Sequence, residues 1–350
     1  MTAIEKQRYR LILSRQREVE RILKAASRDL AKTITPFKTY NKPLKRKIDN
    51  ILRELHNDIQ TSIENGIRTS WDGANKMNDA IVGNYVKGVD VPGGLMASMQ
   101  QVNLDALEAF ISRTEKGFTL SKRIWKYTDD LKKQINLYMG SGITTGKSAA
   151  QISRDLRRHI PQLMKDPNRL YRRVRVEVKD KITGEVKKKL VLSEAAKAYK
   201  PGSGVYRSSY KNALRLAANE TNMAYHISDF NRRQQLPFVM GIEVKLSAAH
   251  PRTDICDSLT GRYPKGFYFT GWHPLCMCYT TSIRLKKDEF IKFVKTGAID
   301  QRKYIRSIPQ KAQGYLQRNK AKLLKLKSKP YWMQNFTQDL RLKKSVKKAI

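Results

Sequence analysis

His250-Pro251-Arg252-Thr253-Asp254-Ile255-Cys256-Asp257 and, after a spacer, His273-Pro274-Leu275-Cys276-Met277-Cys278 decide how this 350-residue chain is read. All three cysteines and two of the five histidines fall inside this window. Thiolate and imidazole are the ligands Zn2+ prefers, and structural zinc sites take four of them in a tetrahedron. A ligand group on each side of a turn-rich spacer lets a metal close a loop too short to build its own core. The spacer fits: Gly261, Pro264, Gly266 and Gly271 form turns, and Tyr263, Phe267, Tyr268, Phe269 and Trp272 can cover a site. The candidate ligands are Cys256, Cys276 and Cys278 with one histidine, either His273, three before Cys276, or His250, six before Cys256. Asp254 and Asp257 are candidates to hydrogen-bond those ligands or to supply the fourth. The doublet Cys276-x-Cys278 is awkward in a strand, where such Cα atoms stand roughly 7 Å apart, so a loop must converge the sulfurs. Two other readings stay open: plain buried cysteines, or a disulfide between two of them.

Immediately upstream, residues 238–246 alternate like a strand, with Ile242, Val244 and Leu246 on one side. Before Pro237 the pattern is helical from Gly204, with Tyr206, Tyr210, Leu214, Ala217, Thr221 and Tyr225 on one face. Earlier still, Val174, Val176 and Val178 alternate with Arg175 and Glu177, and residues 186–192 are again β-prone. With a turn between them this predicts a hairpin over 169–192 carrying nine Lys or Arg. Arg172, Arg173, Arg175, Lys187, Lys188 and Lys189 make it a candidate nucleic-acid-facing finger. A short helix is expected over about 147–160, with Ser148 and Gln151 at capping-box spacing.

The N-terminal third reads as helix. Ile12, Val19, Leu23, Ala26 and Leu30 form one stripe, ended at Thr35-Pro36, because the residue before proline is pushed out of the α region. Leu44, Ile48, Leu52, Leu55, Ile59, Ile63 and Ile67 form a second, and residues 83–94, with Pro92-Gly93-Gly94, read as a loop. Two further helices carry Leu104, Leu107 and Ile111, then Ile124, Leu131, Ile135 and Tyr138. Long stripes need partners, so a bundle or a homo-oligomer interface is expected. The expected class is α+β, mainly α. It has a helical region over 1–95, then a domain over 96–285 holding the hairpin and a Cys/His module over 238–285. A short helix and a basic tail fill 286–350.

The chain carries 70 Lys plus Arg against 31 Asp plus Glu, a formal charge of +39. Such a balance speaks about partners rather than fold. Residues 301–350 hold fifteen Lys or Arg against one acid, Asp339. Within them Lys343, Lys344, Lys347 and Lys348 are candidate DNA contacts. No apolar run approaches the length of a membrane span, and the first, Leu11-Ile12-Leu13, is too short for a secretory signal. An odd number of cysteines is a poor disulfide framework, so a reduced, intracellular setting is expected.

Enzyme motifs are weak. The run Gly140-Ser141-Gly142-Ile143-Thr144-Thr145-Gly146-Lys147-Ser148 has Ser141 where a phosphate-binding loop needs glycine. No His-Glu-x-x-His or Gly-x-Ser-x-Gly occurs, and His56, His159 and His226 stand alone. No catalytic residues are expected, and the chain reads as a non-enzyme.

The metal-ligand segment resembles the phage head morphogenesis, or minor capsid, family typified by the Mu-type head protein. Residues 273–278 are similar to the family's His-Pro-x-Cys-x-Cys ending, and Asp254-Ile255-Cys256-Asp257 precedes the aromatic spacer. Arg215-Leu216-Ala217-Ala218-Asn219-Glu220-Thr221-Asn222 resembles the helix before the signature, and Gly146-Lys147-Ser148 its domain start. Met277 departs from the pattern, standing where arginine is common. The resemblance covers about 140–285. It implies a structural protein of the virion, made in the host cytoplasm and retained inside the head. There it would associate with the portal and with capsid or scaffold proteins; the N-terminal helices, outside the resemblance, are expected to serve portal or self-association. The basic hairpin and tail would face packaged double-stranded DNA, bound through phosphate neutralisation without sequence preference. The alternative is a phage-associated zinc-dependent nuclease or toxin-type enzyme.

Overall fold

The computed structural model describes residues 3–34, 41–144, 151, 174–179, 186–191, 208–248, 250, 253–326 and 328–347. The class is α+β and mainly α, with one small three-stranded antiparallel sheet. Two compact units divide the chain: Met1–Ser14, Glu64–Ile111 and Ala218–Ile350 form one, and Arg15–Ile63 with Ser112–Ala217 the other.

The second of these units is built on amphipathic helices. Helix α1 (Ala3–Ile34) buries Val19, Leu23, Ala26 and Leu30, and α2 (Lys42–Val86) buries Leu44, Ile48, Leu52, Leu55, Ile59 and Ile63. After α3 (Gly93–Gln100) and α4 (Leu104–Ser112), α5 (Leu120–Thr144) buries Leu120, Ile124, Leu131 and Ile135. Helices α2 and α5 meet where His56 stacks on Trp125, ring centroids 4.4 Å apart, and where Lys132 pairs with Asp49 at 2.7 Å. Burial of the His56 ring disfavours its charged form, so its pKa is lowered. Strands β1 (Val174–Lys179) and β2 (Val186–Val191) pair antiparallel as expected, with Glu177 opposite Lys188, while the rest of the expected hairpin over 169–192, its turn included, lies outside the described residues.

In the other unit the later half of α2 meets α6 (Ser209–Gln234) along a polar seam. Ser70 Oγ donates to the Thr221 carbonyl at 2.7 Å, Ser228 Oγ to the Trp71 carbonyl at 3.0 Å, and Asn78 Nδ2 to Asp229 Oδ1 at 3.0 Å. Asp229 also pairs with Arg233 at 2.8 Å and accepts from Thr280 Oγ1 at 3.0 Å, so this buried carboxylate is saturated. Strand β3 (Val239–Lys245) is central in the sheet, flanked by β4 (Gly261–Pro264) and β5 (Tyr279–Arg284). Gly241 is required there, since a Cβ would stand 2.8 Å from the Tyr263 carbonyl oxygen. The short α7 (Ile255–Leu259) precedes β4, and α8 (Lys287–Thr296) follows β5.

Three expectations need correction. Residues 83–94 are not one loop: α2 runs through Gly83 to Val86, and Pro92 caps α3. Burial of Val82 and Val86 outweighs the glycine penalty, and a helix start needs no N–H from proline. The α6 helix is described from Ser209, the expected start over 204–207 with Tyr206 lying outside the described residues, and it is buried on more than one face, with Tyr210 and Leu214 of its expected stripe only half-buried. The basic tail is no free arm. It folds as α9 (Gln310–Arg318), α10 (Lys320–Leu324), a 3-10 turn (Tyr331–Asn335) and α11 (Lys344–Lys347). Ala312, Leu316, Leu323, Trp332, Met333, Phe336 and Val346 from these elements share a core with all three cysteines. The expected helix over 147–160 lies, but for Gln151, outside the described residues.

Candidate metal centre

The centre is assembled by one short helix and one tight loop. Asp254 caps α7: its Oδ1 accepts from the Cys256 N–H at 2.6 Å, while Asp257 Oδ2 accepts from the Asp254 N–H at 2.8 Å. This reciprocal cap fixes Cys256 in the first helical turn. The loop returns through a turn in which the Cys276 N–H donates to the His273 carbonyl at 3.1 Å. Leu275 has φ of +61° and Gly271 φ of +110°. A Cβ on Gly271 would come within 3.1 Å of the Cys276 Cβ, so glycine serves both conformation and space here.

These elements bring Cys256, Cys276 and Cys278 together, with their sulfurs all within 4.8 Å of one another. The three cysteines are buried and free, so neither their separation nor their state is that of a disulfide. Zn–S bonds of about 2.3 Å at tetrahedral angles place neighbouring sulfurs about 3.8 Å apart, and Cys256 and Cys276 Sγ stand 3.7 Å apart. His273 Nε2 lies 3.2 Å from Cys256 Sγ and 3.1 Å from Asp254 Oδ2. Its Nδ1 lies 2.7 Å from the Pro274 carbonyl oxygen, to which it can only donate, so in the neutral ring Nε2 is the nitrogen that would face a ligand. His250 approaches the same side: His250, Asp254 and Cys256 form a second group of donors within 4.8 Å, with His250 Nε2 3.2 Å from Asp257 Oδ2. The Asp254 N–H and His250 together hold the Asp257 carboxyl below the usual carboxylate range. The donors present could hold a metal ion.

Crowding separates the thiols. Hydrogen bonds from Cys256 and Cys278, and then from the backbone of Trp272 and Cys278, hold the Cys276 thiol well below its ordinary range. Hydrogen bonding to Cys276 and Cys278, together with burial, pushes Cys256 up. Three buried sulfurs cannot all ionise against one another; a dication would remove that repulsion.

A buried polar network holds the loop from behind. Asn222 Nδ2 donates to the Cys276 carbonyl at 3.0 Å, and Asn219 Oδ1 accepts from the Leu275 N–H at 2.8 Å. Arg8, 4% exposed, donates to the Met277 carbonyl at 2.7 Å and to Asn222 Oδ1 at 2.8 Å, and its Nη1 lies 2.7 Å from His226 Nε2. Burial and the Arg8 charge keep His226 neutral, its pKa well below 6.5. Sequence reasoning misses Arg8, Asn219, Asn222 and His226. The last three follow a signal that was present: a 3–4 spacing along α6 that puts three polar side chains on one helix face. Arg8 has none, since its partners lie more than two hundred residues away.

The expected DNA-contacting residues are dispersed. Arg175, Lys187, Lys188 and Lys189 lie on the hairpin strands, whereas Arg172, Arg173 and Lys348 fall outside the described residues. Lys343, Lys344 and Lys347 are exposed around the buried Val346. Among the described residues no helix is long and apolar enough to cross a membrane. Compared with known proteins, the chain matches no family model, no curated protein and no solved structure.

Proposed function

We propose that Cys256, Cys276, Cys278 and His273 bind one structural Zn2+. On this reading the chain is a minor capsid protein of phage head morphogenesis, associated with the portal inside the head. The observation that carries it is the cysteine cluster: three buried sulfurs within 4.8 Å of one another, two of them 3.7 Å apart, with His273 Nε2 3.2 Å from Cys256 Sγ and an apolar cover. Soft thiolates favour zinc over the hard cations magnesium and calcium. Four protein ligands make a closed site, which stabilises a fold rather than activating water. His250 then serves through Asp257 as support. The charge of +39 supports contact with packaged DNA through phosphate neutralisation, independent of sequence and weakened steeply by salt.

The test is made on infected-cell lysate and on the purified protein together. Co-sedimentation with portal and heads, and a single zinc ion per chain by elemental analysis, are the expected results. Absence from both portal and head fractions overturns the virion assignment, and a metal-free protein overturns the zinc site. Cleavage of DNA or RNA on addition of Zn2+ or Mg2+ would favour the nuclease alternative instead.

A further inference from the structure

The folded C-terminal segment carries a groove separate from the cysteine cluster. It has a volume of about 460 Å3 and lies between α9, the start of α10 and the stretch from Asp339 to Leu342. That volume falls within the roughly 300–1,000 Å3 of ordinary ligand sites. Its floor is aliphatic: Ile308, Leu340 and Leu342 pack on the module core and Leu316 belongs to it. Its rim holds Arg306, Lys320, Arg341 and Lys347 against a single acid, Asp339. All four cations are exposed, and among the described residues none forms an ion pair with a carboxylate. A second cavity of about 340 Å3, lined by Leu324, Lys329 and Tyr331 among others, shares Leu340 as a wall. Leu340 holds a φ of +59°, a conformation that is strained for a residue with a branched side chain. It persists because Leu340 packs on the core while its backbone N–H is held by the Thr337 carbonyl at 3.0 Å.

We infer that this groove docks an acidic peptide segment of a partner protein, its aliphatic side chains on the floor and its carboxylates on the four-cation rim. The chemistry selects this occupant. A solvated cationic face needs no aliphatic floor, and grooves that hold a nucleic-acid strand combine their cations with aromatic rings on which bases stack. None of the residues lining the cationic cavity is aromatic. A duplex is convex and would touch only the rim. Lys347, expected from the sequence to face DNA, stands on this rim. The inference goes beyond the zinc site and the DNA contacts, and does not depend on either.

The probe is a short fluorescent peptide in which glutamate and leucine alternate, titrated into the full chain at physiological salt. A glutamate–serine peptide of equal charge and a single-stranded oligonucleotide serve as comparators. The double variant Lys320→Glu/Arg341→Glu reverses the rim, and Lys292→Glu/Lys295→Glu makes the same change in net charge on the exposed face of α8. The glutamate–leucine peptide should bind about tenfold more tightly than the serine peptide, and lose about tenfold in the rim variant but under about twofold in the α8 variant. Equal binding of the two peptides, or equal losses in the two variants, would reduce the groove to bulk charge and overturn the proposal. Displacement of the peptide by the oligonucleotide, lost in the rim variant, would overturn it in favour of a nucleic-acid site. Circular dichroism of both variants verifies folding, which exposed positions should preserve.

Discussion

Replacing Lys265 by methionine should make the protein more stable near neutral pH and leave it unchanged in strong alkali. Lys265 follows β4 and is 4% exposed, and among the described residues its ammonium has one hydrogen bond, to the Leu236 carbonyl at 2.9 Å. Burial lowers its pKa from 10.5 to about 8. A shift of that size corresponds to about 3 kcal/mol between the two protonation states. The folded pKa lies below the unfolded one, so between pH 8 and 10.5 the unfolded chain holds the extra proton and stability rises with pH. The penalty of the charged amine is full below pH 8 and gone above 10.5. Methionine keeps the apolar stem. The Leu236 carbonyl keeps a partner as well, because it also accepts from the Val239 N–H at 3.1 Å. Lys265→Met should therefore gain about 1–3 kcal/mol at pH 7, allowing for the lost charged hydrogen bond, and close to nothing at pH 10.5. Urea midpoints of both proteins at the two pH values measure this, and taking the difference between proteins cancels the titration of thiols and tyrosines. An advantage equal at both pH values, or a loss at pH 7, would refute the reasoning.

Further predictions concern the centre and its support. Cys256→Ser should abolish stoichiometric zinc binding, and a strong chelator should lower the melting temperature of the parent protein but not of this variant. His273→Ala should weaken zinc about a hundredfold or more in a competition titration, and His250→Ala only about tenfold, since His250 supports Asp257 instead of closing the tetrahedron. Gly271→Ala, facing both a positive φ and the Cys276 Cβ, should cost about 2 kcal/mol in chemical denaturation. Asn222→Ala removes the donor to the Cys276 carbonyl and the acceptor for buried Arg8, and should cost about 2–3 kcal/mol. If Asn222→Ala proves neutral, the polar network is not what holds the loop.

Periodicity makes the helical part of this fold legible where burial is one-sided. The stripe from Leu44 to Ile67 on α2 is buried at every position that spacing selects. Punctuation misleads where tertiary burial overrides it: Gly83 sits inside α2, and Pro92-Gly93 starts a helix instead of holding a loop. At the candidate metal centre the donor types are legible in the sequence, whereas the convergence of the three sulfurs comes from the loop the structure folds around them. The support is legible only in part: the spacing of Asn219, Asn222 and His226 marks one face of α6, but Arg8 is a long-range partner and composition gives no register for contacts across so much chain. The tail is the plainest failure of composition. Trp332, Phe336 and Val346 are few among fifteen cations, yet they decide that the segment packs instead of trailing in solvent.

The apolar cover over the cysteines has a consequence for the order of events during synthesis. Cys278 leaves the ribosome before Trp332 and Val346 exist, and at ordinary elongation rates the interval to Trp332 is roughly 3–10 s. The thiols thus meet their surroundings while the lid over them is still untranslated. If the site binds zinc as proposed, an ion captured in that interval would be enclosed once Trp332 donates its indole N–H to the Trp272 carbonyl at 3.0 Å and Phe336 packs on Phe267. On the zinc reading loading would precede closure, so metal added to the finished protein should enter far more slowly than metal present during translation.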